Sequence, residues 1–210
     1  MDGGTVFTAS LQGIQQIKSR DGEILTRPFL DVCKTILPVI DSFVSAMSFA
    51  KSDIGGNISR LENKYSSNPS EFNLLYSIVR SEIDSKTVSF ASFLGCSRAM
   101  DFLVELFRNL LAHPDWRMTQ VCSYSYIKTL KKWHNWLASS RFSVASKLAP
   151  DRKKFMDVIS GKGDVNADVE KFCTNFSPFL DENYKFLLRF NANDLSTFLQ
   201  ASVGVDDMKA

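Results

Sequence analysis

Apolar residues recur at intervals of three and four along nearly the whole chain, and strand-like alternation bounded by turn signals is scarce. The pattern predicts an all-α protein of about eight helices. The first strongly apolar region, residues 27–49 ("RPFLDVCKTILPVIDSFVSAMSF"), contains Pro38, whose ring and missing N–H predict a kink or a division. A second helix is expected from Ser52 to Tyr65. A third opens at "NPSE", with Asn68 as cap, Pro69 in the first turn and Glu71 at the reciprocal capping position, and is expected to run to Ser85. After a patch of small residues, "FLGCSRAMDFLVELFRNLLAH" carries Leu94, Phe102, Leu103, Leu106, Phe107 and Leu110 around most of its circumference, which predicts a central helix. Beyond the turn-like "HPDW" at 113–116, a continuous helix is expected from Thr119 to Ser139, with Tyr126, Leu130, Trp133 and Leu137 on one face. Pro150 begins "PDRKKFMDVIS", "GKGD" at 161–164 reads as a loop, and Val165–Arg189 reads as the last long helix, disturbed at Pro178. The pattern fades from Asn191 onward.

Composition narrows the class of protein. At 210 residues with no sharp compositional shift, residues 1–210 are expected to form one domain. A net charge of +2 and a pI near 8.3 fall short of the basic excess that nucleic acid binding requires. Seventeen phenylalanines supply apolar surface without a hydrogen-bonding group, suited equally to a large dry core or to an apolar cavity. Cys33, Cys96, Cys122 and Cys173 show no CxxC spacing, and no secretory leader precedes them, so reduced thiols and a cytoplasmic protein are expected. No apolar run approaches the ~18 residues needed to span a bilayer. Any membrane contact would then be peripheral.

Candidate chemistry begins at "KSDIGGNISRLE", residues 51–62, where Gly55 and Gly56 each cost a helix about 1 kcal/mol relative to alanine. On a helix, Asp53, Asn57 and Arg60 fall within an arc of about 60°, and the apolar stripe of Ile54, Ile58, Leu61 and Tyr65 runs about 100° away. A carboxylate acceptor, an amide that donates and accepts, and a fork of cationic donors match the neighbouring hydroxyls of a sugar. Gly56, at the edge of the polar arc, leaves room for something bulky to approach the backbone beside Asp53 and Asn57. The same spacing also fits a solvated face with an ordinary Asp–Arg contact. In "KKWHNW", residues 131–136, His134 is either a ligand-facing or a partly buried structural histidine. Trp136, with Lys132 and the neighbouring lysines, has the composition of an anchor in a lipid headgroup layer, or of a core tryptophan beside a solvated lysine face. A catalytic reading with Asp53 and His134 as an acid–base pair lacks a nucleophile elbow, metal spacing or phosphate loop. No catalytic residue, metal or cofactor is therefore expected.

"DIGGNISR" together with "KKWHNW" resembles the glycolipid transfer protein family, and "RPFLDVCKTILPVID", "SRAMDFLVELFRNL" and "LAPDRKKFMDVISG" resemble its plant members over nearly the whole chain. The resemblance implies a two-layer α-helical sandwich that holds one sphingolipid, its sugar on a polar surface site and its chains in an apolar pocket. It implies a monomeric, non-enzymatic glycosphingolipid carrier that touches membranes transiently. Asp53 matches the aspartate that bonds the ceramide amide nitrogen and a sugar hydroxyl, and Asn57 an asparagine that bonds sugar hydroxyls. Arg60 stands where many members have lysine, His134 matches the histidine that donates to the amide carbonyl, and Trp136 matches a membrane-docking aromatic. The departures are as informative. Gly95 stands three residues before Arg98, where glycolipid-binding members carry a tryptophan under the sugar ring. The phosphate-headgroup branch has cations at the positions of Asn57 and Gly95, and neither is present here. Residues 188–200 stand as an addition to the plant pattern.

Overall fold

The computed structural model describes residues 4–41, 43, 48–81 and 88–189. Its described regular structure is nine α-helices and one 3-10 turn: α1 (Thr8–Ile14), α2 (Thr26–Asp41), α3 (Ser48–Ser67), α4 (Leu75–Arg80), α5 (Val88–Ala112), α6 (Met118–Lys128), the turn Lys131–Trp133, α7 (Trp136–Lys147), α8 (Arg152–Ser160) and α9 (Val165–Leu187). They form a two-layer α-helical sandwich. The expected all-α class is what the chain adopts. Apart from two isolated backbone bridges, Lys18 with Ile24 and Leu25 with Leu74, the described residues contain no strand pairing.

As its all-round apolar sequence predicts, α5 is the central helix, packing on α3, α4, α6 and α9. Phenylalanines fill the space around it. Phe7 meets Phe107 edge-on at 5.0 Å, and Phe172 stacks on Phe176 at 5.3 Å, which in turn stacks on Phe29 at 5.9 Å. All five are fully buried, each stabilising the fold by about 1.5–3 kcal/mol relative to exposure. The four cysteines are free and buried in this interior, where burial pushes the Cys122 and Cys173 thiols up to about 12.

Helix ends follow local chemistry. Asp151 caps α8 by accepting from the N–H groups of Lys153 (2.9 Å) and Lys154 (3.3 Å). Asp164 caps α9 through the N–H groups of Asn166 and Ala167, and Thr5 Oγ1 donates to Asp168 Oδ2 at 2.7 Å, tying the N-terminal segment to α9. The predicted loop at 161–164 lies between them. Gly161 has φ +56°, and a Cβ there would stand 2.5 Å from the Gly4 carbonyl oxygen, so glycine is required.

Four expectations differ from the structure. The short helix α1 was not anticipated. The "NPSE" signal closes a turn instead of opening a helix: Asn68 Nδ2 donates to Glu71 Oε2 (2.8 Å), and the next backbone groups pair with residues 24–26. Thr26 N–H donates to Asn73 O at 2.8 Å and Leu75 N–H to Ile24 O at 2.9 Å, so α4 begins only at Leu75. The expected run to Ser85 ends outside the described residues. Of the two outcomes expected at Pro38, division does not occur, since α2 continues to Asp41, and α9 likewise continues past Pro178 to Leu187. The helix expected at 119–139 is broken, with consequences for His134 described next. The segment 188–200 lies, beyond its first two residues, outside the described residues.

Candidate functional site

Asp53, Asn57 and Arg60 share one face of α3 as their spacing requires, but they are joined by bonds that spacing does not reveal. Arg60 Nη2 donates to Asn57 Oδ1 at 2.6 Å, and Asn57 Nδ2 reaches Asp53 Oδ2 at 3.4 Å. Arg60 Nε also donates to Ser92 Oγ at 2.8 Å, carrying the chain of bonds across to α5. Asn57 is buried, with 5% of its surface exposed, whereas Asp53 and Arg60 are exposed. The amide therefore forms the floor, and the two charged groups form the rim.

Two glycines make that arrangement possible. A Cβ on Gly56 would lie 3.3 Å from Arg60 Nη1, so the glycine makes room for the guanidinium to fold back over its own helix. Gly55 has nothing within 4 Å of such a Cβ. On α5, a Cβ on Gly95 would lie 2.7 Å from Asn57 Nδ2 and 3.1 Å from its Cγ. The bare backbone of Gly95 is thus the seat of the Asn57 amide. Phe90 and Phe93, the phenylalanines that precede Gly95 on α5, are both buried, and Phe93 packs edge-on against Tyr76 at 6.2 Å.

One turn further along α5, Arg98 faces the other half of the site. Its guanidinium carbon lies 3.8 Å from the centre of the Trp133 ring, a cation–π stack. Among the described residues its Nε and Nη2 are buried without a hydrogen-bond partner, and burial lowers its pKa to about 10. In the sequence Arg98 stands out only as the arginine three residues after Gly95; no spacing rule points to its stack on Trp133.

His134 does not lie on a helix. After α6 and the 3-10 turn, it is extended (φ −96°, ψ 136°), and Asn135 starts α7 afresh by accepting from the Ala138 N–H at 2.9 Å. The apolar period carried the expected helix through 119–139. The asparagine cap prevails locally, turning Trp133 inward and Trp136 outward. His134 Nδ1 is 3.1 Å from the Tyr126 hydroxyl, which also contacts Ser139 Oγ at 2.9 Å. Burial, and then the positive charge of Arg98, lower the pKa of His134 below its ordinary value, so the ring is neutral at neutral pH. Beneath it, α6 is locked to α5. Asn109 Nδ2 donates to Glu105 Oε1 (3.1 Å) and Ser125 Oγ (3.0 Å), and Lys128 Nζ donates to the same Glu105 oxygen at 2.8 Å. The α5 turn from Gly95 to Arg98 therefore backs both halves, the α3 network on one side and the Trp133–His134 segment on the other.

Trp136 is 78% exposed at the start of α7, Val144 on the same helix is 61% exposed, and Leu148 just after it is 62% exposed. The Lys132 ammonium lies 4.9 Å over the Trp133 ring. Among the described residues, no group of three metal-ligating side chains exists, and no helix is long and apolar enough to cross a membrane.

This fold is that of solved α-helical proteins. A crystal structure of the Arabidopsis accelerated-cell-death 11 protein with a ceramide 1-phosphate superposes with a TM-score of 0.80 at 15% identity, covering 90% of this chain and 98% of that one. The structure described as showing how FAPP2 selects simple glycosphingolipids superposes with a TM-score of 0.72 at 24% identity, over 94% and 95% of the two chains. In sequence, residues 24–161 match the family described as Glycolipid transfer protein. Glycolipid transfer protein 1 of Arabidopsis thaliana is 60% identical over 99% of this chain and 98% of its own. The chain belongs to the glycolipid transfer protein family.

Proposed function

We propose that this protein binds a glycosylceramide at the Asp53–Asn57–Arg60 face, withdraws it from a membrane surface and carries it to another membrane. Members of this family carry lipids and are not enzymes. The observation that carries the reading is the bonded chain Asp53–Asn57–Arg60–Ser92 seated on Gly95. It presents pre-organised acceptors and donors at the surface, while the neutral imidazole of His134 flanks the same α5 turn. In this reading Asp53 accepts from the ceramide amide N–H and a sugar hydroxyl, Asn57 and Arg60 bind sugar hydroxyls, and His134 donates to the amide carbonyl. Groups left unpaired on desolvation cost about 1–3 kcal/mol each, which gives the face its selectivity.

The hydrocarbon chains set the energetic problem. Each CH₂ moved into water costs about 0.8 kcal/mol, so the apolar interior between the helices must replace the bilayer's contacts as the lipid leaves. Trp136 and Lys132 dock the protein: the exposed indole enters the headgroup layer and the ammonium meets anionic lipid. The protein acts as a cytoplasmic monomer with peripheral, transient membrane contact.

Gly95 favours a second reading within the same fold, a lipid sensor that transfers glycolipid weakly. The Asn57 amide occupies the place from which an aromatic platform would rise. Losing an aromatic–sugar stack costs on the order of 1 kcal/mol, several-fold in affinity. A vesicle-to-vesicle assay with fluorescent glucosylceramide separates the readings. Transfer that collapses in Asp53→Val supports the carrier; binding to glucosylceramide vesicles without transfer supports the sensor, and neither binding nor transfer refutes both.

A further inference from the structure

Arg60 is exposed, yet two of its guanidinium nitrogens are already engaged by the protein. A guanidinium is a flat fork with two usable edges. Nε–H and one Nη2–H point off its side, while the other Nη2–H and one Nη1–H point off its end. Here Nε donates to Ser92 Oγ at 2.8 Å and Nη2 donates to Asn57 Oδ1 at 2.6 Å, the pair of nitrogens that makes up the side edge. Both acceptors are held in place. Asn57 is 5% exposed on α3 and Ser92 is fully buried on α5, so neither follows a ligand that comes or goes.

The end edge is what a ligand meets. Nη1 makes no hydrogen bond among the described residues. It lies beside Gly56, where a Cβ would stand 3.3 Å from Nη1 and 3.9 Å from Nη2, and the absence of that Cβ leaves the end edge uncovered. Two parallel N–H groups suit two neighbouring acceptor oxygens, such as adjacent ring hydroxyls of a sugar. A lysine ammonium offers a single nitrogen and has no second edge to give the protein. We infer that Ser92 is a positioning residue: by taking Nε while Asn57 takes Nη2, it fixes the plane of Arg60 and turns the end edge outward as a two-pronged donor for an adjacent pair of sugar hydroxyls. This rests on the glycosylceramide reading of the site, but the hold of Ser92 on Arg60 is measurable without any lipid.

The Arg60 Nε–H is read by ¹⁵N–¹H NMR of the whole lipid-free chain, with Arg60→Lys assigning the signal by its loss. In the wild type that proton is expected to exchange slowly with water. Ser92→Ala, and Ser92→Cys, which keeps a side chain of similar shape but offers sulfur as a weak acceptor, are expected to abolish the protection. Both are expected to lower glucosylceramide transfer between vesicles about fivefold. In an Arg60→Lys background the same two substitutions are expected to add no further loss, since no guanidinium remains to be oriented. A fast-exchanging Nε–H in the wild type, protection that persists in Ser92→Ala, or an equal loss of transfer in both backgrounds overturns the assignment. Protection that depends on Ser92, in a protein that neither binds nor moves glucosylceramide, supports the hold of Ser92 on Arg60 and refutes the carrier reading instead.

Discussion

A single methyl group at position 95 tests how the polar face is assembled. In Gly95→Ala the new Cβ would sit 2.7 Å from Asn57 Nδ2, where ordinary contact begins near 3.4 Å, so the amide must retreat by about 0.7 Å. Asn57 is buried and bonded to Arg60 at 2.6 Å, so that retreat costs the bond. A hydrogen bond to a charged group contributes about 1.5–3 kcal/mol. A loss near the lower end, about 2 kcal/mol, corresponds to about thirtyfold weaker glucosylceramide binding. Transfer between vesicles would report the function, and urea unfolding would report how much of the loss is stability. The decisive comparison is the same substitution in an Asn57→Ala background, where no amide remains to collide and the penalty should disappear. Wild-type transfer in Gly95→Ala, or an equal penalty in both backgrounds, would refute the idea that Gly95 seats Asn57. By the same reasoning Gly95→Trp should be worse than Gly95→Ala, since the indole displaces the amide before it can serve a sugar.

Two further outcomes follow from surface and titration. Trp136→Ala should slow transfer several-fold and weaken association with anionic vesicles while leaving the thermal midpoint unchanged, because the indole is 78% exposed; an unaltered vesicle association would remove Trp136 from the docking surface. His134 has a folded-state pKa below its unfolded value of 6.5, so the unfolded chain takes up the proton first as pH falls. Stability contributed by His134 is complete above pH 6.5 and declines as pH drops from there to the folded-state pKa. His134→Gln should flatten that part of a stability–pH profile measured by urea unfolding, and an unchanged slope would place the titration elsewhere.

The class of fold was legible in the sequence because helical periodicity is written locally, and a helix as uniformly apolar as α5 has nowhere to go but the centre. What escaped was decided by partners distant in the chain. The "NPSE" signal met its local capping geometry, yet residues 24–26 claimed the backbone that a helix would have used. Asn135 broke the helix that the apolar period predicted around His134, by capping a new helix with its own side chain. In the candidate site, the arc of Asp53, Asn57 and Arg60 was readable from α3 alone. The contacts of Gly95 with Asn57, Ser92 with Arg60 and Arg98 with Trp133 join α5 to other segments, and no spacing rule encodes them. Gly56 shows both sides of this: its lack of a side chain was read as room for a visitor, and in the folded chain Arg60 takes up part of that room.

The break between α6 and α7 gives the chain a pivot with two hands. Trp133 grips Arg98 inside while Trp136, three residues later, reaches out to solvent, and His134 sits between them. In the proposed carrier, an indole that docks on a membrane and a ring that reads the amide would be joined by only two residues of extended backbone, so landing and loading would be mechanically coupled. Lengthening this hexapeptide by one residue should then uncouple arrival from loading.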